Sequence, residues 1–300
     1  MMKLDGIHTF VAVAEAGSLS AAARRLNLSK SVVSERLVEL ERVLGTVLVH
    51  RTTRNLSLTE DGTAFLERAS RIAREVAEAA ADMAERRGTL SGPLRISAPV
   101  TFGRMHLGPA LYPFVRQHPR IELTLDLDDR RVDVAADGYD AVVRHGEVGD
   151  TRLVAWPMAA SRRVLVAAPA YLAQHGTPAS ITELEQHAGI VYTNRGAADW
   201  RFVGARGASI VRGRPGLRVN NGDMMRDAAI AGVGIALLPT FIVGEAIRSG
   251  ALVSVDVGIE AAPESIYMAH PEGRRASAKL RALADCLRHA FGTPPYWDAS

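Results

Sequence analysis

Between Lys30 and Arg36 the chain sets two hydroxyls, Ser31 and Ser34, and one carboxylate, Glu35, between two cations. Short polar side chains at the start of a helix suit insertion into the major groove of duplex DNA, where hydroxyls bond to several base edges. Glu35 would be repelled by phosphates, yet in the groove it can accept a hydrogen bond from cytosine N4. Lys30, Arg36 and the helix N-terminus can reach phosphates, which set position without reading sequence. Ser20, at the opening of the preceding helix, joins this set, as do Arg51 and Arg54, placed to meet backbone phosphate or the minor groove. The same residues also fit a structural three-helix unit with a solvated basic loop.

A second group of polar residues falls where strands should end. Ser97, Val100, Thr101 and Phe102 surround the end of one strand, with the Thr101 hydroxyl and the next helix's N–H groups available for an anion. Arg144 and His145 follow a second strand, Tyr192 a third, and Asn221 opens a later helix. Hydroxyl, amide and guanidinium groups gathered at strand ends suit a small carboxylate or polar aromatic ligand, although Asn221 and Asp223 could serve only as helix caps. No Gly-x-Ser-x-Gly, His-Glu-x-x-His, phosphate-binding loop or Cys-x-x-Cys is present, so nothing points to catalysis, a metal or a cofactor.

These groups need elements to hold them. Leu4, Ile7, Phe10, Val11 and Ala14 recur at helical spacing up to Gly17. A second helix runs through Ala21 to Leu26 after a serine cap at Ser18 or Ser20, and Asn27 suits the left-handed exit. The third, Lys30 to Leu44, aligns Val33, Leu37, Leu40 and Leu44 on one stripe, leaving Ser31, Ser34, Glu35, Val38 and Arg42 elsewhere. That is a helix-turn-helix, at about 19–38 within a unit spanning 2–59. Residues 48–58 then read as a β-wing with a basic centre. Up to Leu58, eight basic residues face five acidic ones, so the excess of cations over anions in the 300-residue chain is concentrated here.

From Thr59 to Gly88 a long helix carries Phe65, Ala69, Ile72, Val76, Ala79 and Met83 in a heptad seam. Too long to fold back on a small winged unit, this 60–88 linker is expected to pair with its copy in a homodimer; packing on the chain's own C-terminal domain is the alternative. Its alanines favour close approach over a strong grip, so homotetramer contacts would come from elsewhere.

Beyond Gly92-Pro93, strand-like runs at 94–98, 121–127, 141–144, 164–168, 190–192, 217–219 and 235–238 alternate with helical runs at 103–117, 181–187, 224–231 and 277–289. This alternation predicts mainly parallel sheets covered by helices. With 47% hydrophobic and 23% charged residues the chain is ordinary for a globular protein. Cys286 is the single cysteine, Asp5 and Glu15 interrupt any signal-like stretch, and glycines and Pro239 break the longest uncharged run, 228–244, so a cytoplasmic protein without a membrane span is expected.

The stretch from Phe10 to Leu26, Ser29-Lys30-Ser31-Val32-Val33-Ser34, and Arg51-Thr52-Thr53-Arg54 before Leu58-Thr59-Glu60-Asp61-Gly62 resembles the start of LysR-type transcriptional regulators. The likeness continues through the whole chain. It departs at Val49, where an aromatic or leucine is common, and at Glu35, where a basic or amide residue is frequent. The resemblance implies a transcriptional regulator that binds a roughly palindromic double-stranded DNA site and answers to a small-molecule effector. Its architecture would be α/β overall: a winged helix-turn-helix, a linker helix, and a two-lobed effector domain similar to periplasmic binding proteins over 92–300. Lobe I would hold 92–162 and 268–300, lobe II 163–267. A cytosolic α/β enzyme or a solute-binding protein with a fused helical domain is the competing reading.

Overall fold

The computed structural model describes all residues except 1, 52–55, 86–88, 131, 147–148, 199, 205–206, 212, 273–275 and 299–300. It forms two compact units, Met1–Pro93 and Leu94–Ser300.

The first unit begins with α1 (Leu4–Ala16), α2 (Leu19–Leu26) and α3 (Lys30–Leu44). Serines cap the second and third helices: the Ala21 N–H reaches Ser18 Oγ at 3.5 Å, and the Val32 N–H reaches Ser29 Oγ at 3.3 Å. Asn27 takes the left-handed conformation with φ 53°, which turns the chain sharply between α2 and α3. Phe10, Val13, Ala22, Ala23, Val33 and Leu37 form the dry centre, where the two alanines let α2 approach closely.

Strands β1 (Val49–Arg51) and β2 (Leu56–Leu58) pair antiparallel, with Val49 opposite Leu58. Val49 is itself buried, so the smaller residue still closes this corner of the core. Helix α4 (Glu60–Glu85) follows, with 26 residues spanning about 39 Å. Thr59 caps it, accepting from the Gly62 N–H at 2.8 Å and donating its hydroxyl to the Val47 carbonyl at 2.7 Å. Gly62 is required by contact: a Cβ there would lie 2.0 Å from the Leu48 carbonyl oxygen.

The heptad reading of α4 needs correction in its first half. Phe65, Leu66, Ala69 and Ile72 pack on the three-helix core, and the Phe65 and Phe10 rings lie 5.5 Å apart. The helix therefore does fold back on its own unit, because the hydrophobic groove beside α1 needs a cover. Of the expected seam, Ala79 and Met83 remain exposed.

The second unit opens with β3 (Gly92–Ala98), α5 (Val100–Phe102), a π-helical turn (Gly103–Leu107) and α6 (Gly108–Gln117). Pro109 lacks the N–H that would continue an α-helical ladder, which accounts for the wide turn before it. Then come β4 (Ile121–Leu127), β5 (Ala141–His145) and β6 (Leu153–Ser161). The chain next crosses to a second lobe: β7 (Arg163–Ala167), α7 (Pro169–His175), α8 (Ile181–Leu184), β8 (Ala188–Tyr192), a 3₁₀ turn (Thr193–Ala198), β9 (Arg201–Gly204), β10 (Gly207–Ile210) and β11 (Arg214–Val219). This lobe continues with α9 (Gly222–Ile230), β12 (Ile235–Pro239), α10 (Thr240–Arg248), β13 (Val253–Ser254) and β14 (Glu260–Ala261). Finally β15 (Glu264–Pro271) returns to the first lobe and α11 (Ala278–Phe291) covers it.

The two five-stranded sheets have the orders β4-β3-β5-β15-β6 and β11-β8-β12-β7-β13, and a three-stranded sheet, β10-β9-β14, flanks the second. They are mixed, not mainly parallel as the alternation suggested. Strand β15 runs antiparallel to β5 and β6, and β7 runs antiparallel to β12 and β13. The crossing strands enter each sheet from the opposite lobe, so their direction is reversed. The second crossing falls at 262–264, a few residues before the boundary drawn from sequence. No helix among the described residues is long and apolar enough to span a membrane.

Candidate functional site

On α3 the stripe is divided as periodicity requires. Val33, Leu37 and Leu40 are buried, Ser34 is half-buried, and Lys30, Ser31, Glu35, Val38 and Arg42 are exposed. Ser20 is exposed on α2. The Ser31 hydroxyl lies 2.8 Å from that of Ser29, and Arg36 is held by Asp5 of α1 at 3.0 Å, which ties its guanidinium to the body of the unit. Arg51 contributes backbone to β1; its side chain, and Arg54 entirely, lie outside the described residues. Sequence reasoning missed Glu41. Its Oε1 accepts from the Leu48 N–H at 2.9 Å and the Val49 N–H at 3.2 Å, fastening the wing's first strand to the third helix.

In the second unit a cavity of about 580 Å³ opens between the lobes. Thr101, Phe102, Arg144, His145 and Tyr192 line it, as the sequence suggested, together with Asp129, Arg195, Phe241 and Glu264, which it did not. Ser97, Val100 and Asn221 do not line it. Ser97 is fully buried and accepts from Arg144 Nη2 at 2.9 Å. Asn221 caps α9, accepting from the Met224 N–H at 3.0 Å, and its Nδ2 donates to Asp129 at 3.4 Å.

Two of the donors expected to be available for an anion at this strand end are occupied. The Val100 N–H is already given to Asp129 Oδ1 at 3.0 Å, and the Thr101 hydroxyl is donated to Asp223 Oδ2 at 3.1 Å. Asp223 also holds Arg104 at 2.7 Å, so α9 of one lobe is tied to the first helix of the other. Asn194 Nδ2 adds a fourth tie, to the Asp129 carbonyl at 2.9 Å.

Beneath the cavity, where the chain crosses between lobes, Glu264 gathers cations. Arg195 grips both carboxylate oxygens, Arg163 stands 3.6 Å away, and His145 Nε2 lies 3.0 Å from Oε2. Burial alone would raise the Glu264 carboxyl, but Arg195 and Arg163 outweigh it and hold it below its ordinary value. Arg195 can only donate, so His145 Nδ1 at 3.0 Å must accept, and the ring proton sits on Nε2, facing Ser161 Oγ at 2.8 Å. Burial, with Arg195 and Arg163 nearby, pushes His145 down to about 3, so the ring stays neutral.

One wall of the cavity is aromatic. Phe102 and Phe241, from opposite lobes, meet edge to face at 5.2 Å, and His106 packs behind them with its ring tilted against Trp297 at 4.7 Å. His106 Nε2 donates to the Phe241 carbonyl at 3.0 Å, so its Nδ1 accepts the Tyr296 hydroxyl at 2.6 Å. Among the described residues no cluster is arranged to hold a metal ion.

Residues 4–63 match the bacterial regulatory helix-turn-helix protein family, lysR family, and residues 87–292 match the LysR substrate binding domain. The chain belongs to the LysR family of transcriptional regulators. Among relatives of this LysR-type regulator, the HTH-type transcriptional regulator DmlR of Escherichia coli is 32% identical over 290 residues, covering 96% of this chain and 94% of that protein. PtxR of Pseudomonas aeruginosa, also an HTH-type transcriptional regulator, is 34% identical over 298 residues, covering 98% and 95%. The solved structure of CrgA, a LysR-type transcriptional regulator from Neisseria meningitidis, superposes with a TM-score of 0.60 at 30% identity, covering 95% of this chain and 98% of that one. The LysR-type regulator is thus a DNA-binding transcriptional regulator with an effector-binding domain, and not an enzyme.

Asp129 and Glu264 left different traces in the sequence. Asp128-Asp129-Arg130 directly follows β4, a strand-end position of the kind that marked Arg144, and the same rule would have found it. Glu264 sits at a crossing with no local pattern.

Proposed function

We propose that this LysR-type regulator reads its operator through the exposed edge of α3 and is switched by a small ligand held at Arg144. Ser31, Ser34 and Glu35 contact base edges, while Lys30, Ser20, Arg51 and Arg54 engage the phosphate backbone, with Arg36 assisting from its Asp5 tether. The observation that carries the reading is the dry face of α3: with Val33, Leu37 and Leu40 fully buried, Lys30, Ser31 and Glu35 are directed outward together.

Two copies pair through the C-terminal half of α4, where Ala79 and Met83 are exposed, and two such pairs form a tetramer through the effector domains. Each dimer then spans a roughly palindromic site. Arg144 is the ligand's anchor because its guanidinium lines the cavity while its own partners, Ser97, the Val143 carbonyl and the Arg130 carbonyl, are all uncharged. A ligand that binds one relative placement of the lobes better than another shifts the balance between them, and with it the bend imposed on DNA.

Mapping protected DNA on the gene's own upstream region, with wild type, S34A and R144Q, tests this. A footprint that needs severalfold more protein in S34A, with R144Q losing only the ligand response, is expected. An unaltered S34A footprint rules out the base-reading role.

A further inference from the structure

The cavity's charges are mostly satisfied from within. Arg130 is paired with Asp128 at 2.7 Å, and Arg195 and Arg163 with Glu264. Among the described residues, Arg144 and Asp129, of opposite charge, have no ion-paired partner. Among these residues Arg144 bonds to neutral oxygens, and Asp129 accepts from neutral N–H groups of Val100 and Asn221. Both line the same cavity, on the same lobe, and Arg144 also reaches the carbonyl of Arg130, the residue after Asp129. They sense each other's charge without bonding.

Hydrogen-bond polarity divides the space the same way. Near Asp129 four donor protons are already committed: the Val100 N–H to Asp129, the Thr101 hydroxyl to Asp223, and both protons of Asn194 Nδ2, one to the Asp129 carbonyl and one to Tyr192 at 3.3 Å. The Asp129 carboxylate and the lone pairs of Thr101 Oγ1 remain as acceptors on this part of the cavity lining. An anion placed against Asp129 would meet a carboxylate. Arg144, by contrast, offers N–H groups that cannot be deprotonated. Burial raises the Asp129 carboxyl and lowers Arg144, so both charges gain from a ligand that brings the opposite sign.

We propose that the effector is a zwitterion of amino-acid type, its carboxylate on Arg144 and its ammonium between Asp129 and the Thr101 hydroxyl oxygen. Phe102 and Phe241 then receive its side chain. This rests on the cleft reading given above and narrows it from any carboxylate to one bearing an amine.

Calorimetric titration of the full-length protein with each proteinogenic L-amino acid, and with its deaminated carboxylate and decarboxylated amine, tests the assignment. At least one amino acid should bind about tenfold or more tightly than both of its halves, the gain expected of a charge-assisted hydrogen bond. D129N should remove that advantage while still binding the deaminated carboxylate, which also demonstrates an intact cavity. R144Q should weaken the amino acid and the carboxylate alike. If deaminated carboxylates bind wild type as tightly as the amino acids and R144Q weakens them, the zwitterion is wrong and the cleft reading stands. If no probe bound at millimolar concentration responds to R144Q, both are wrong. The comparison within wild type decides the matter even if a variant fails to fold.

Discussion

On α3, Lys30, Ser31 and Glu35 extend into solvent from a helix whose opposite side is dry, whereas in the cleft Thr101, Arg195 and Glu264 have their partners inside the chain. The first surface is finished by folding and waits for a polyanion. The second is held together by its own ion pairs across the crossing strands, so most of its charge is already spent on the fold. Changes at the reading face should therefore act on binding alone, and changes beneath the cleft on stability first.

The largest effect is expected from E264Q. Removing a buried carboxylate that holds Arg195 and Arg163 should destabilise the effector unit by about 4 kcal/mol, as for a broken buried pair. Chemical unfolding of the full chain measures it, and a loss below about 1 kcal/mol, the level of a surface pair, would erase the contrast drawn above. G62A comes next. A methyl group pressed against the Leu48 carbonyl should cost about 3 kcal/mol in the DNA-binding unit. Its unfolding transition should fall while ligand binding persists.

At the reading face, K30A should weaken binding to every duplex by about tenfold and reduce the salt slope by about 0.9, the loss of one phosphate contact. S34A should cost about 1 kcal/mol, and only on the preferred operator. A change in the salt slope for S34A, or in sequence preference for K30A, would reverse their assigned roles.

The effect spread over the widest range of conditions, and so smallest for any single pH step, is a pH dependence. A histidine held down to about 3 when folded takes up protons only in the unfolded chain between there and its ordinary 6.5, so stability should fall as pH drops through that window. Burial lowers His106 as well, which adds a contribution of the same sign. H145Q should flatten the slope measured by urea unfolding at several pH values, and an unchanged slope would place the protonation elsewhere.

The two regions also differ in how much of them periodicity reveals. Helix α3 was readable end to end, because Val33, Leu37, Leu40 and Leu44 repeat at helical spacing between a serine cap and Gly45. Strands β3, β4 and β12 were readable as apolar runs. The crossing strand β6 was not: Trp156-Pro157 interrupts it and its burial alternates irregularly. Nor was the Glu264 cluster, since Ser161, Arg163, Arg195 and His145 are brought together only by the crossing of the chain between lobes. The first half of the α4 seam misled for a related reason. A hydrophobic stripe reveals that a helix is covered, but not whether by its own unit or another.

Glu41 carries one last implication. Because its carboxylate binds two successive amides at the root of the wing, the third helix and the hairpin move as a single piece. A duplex touching both must adapt its groove width to their fixed spacing, so stiff and pliable operators with identical contacted bases should be distinguished by this protein.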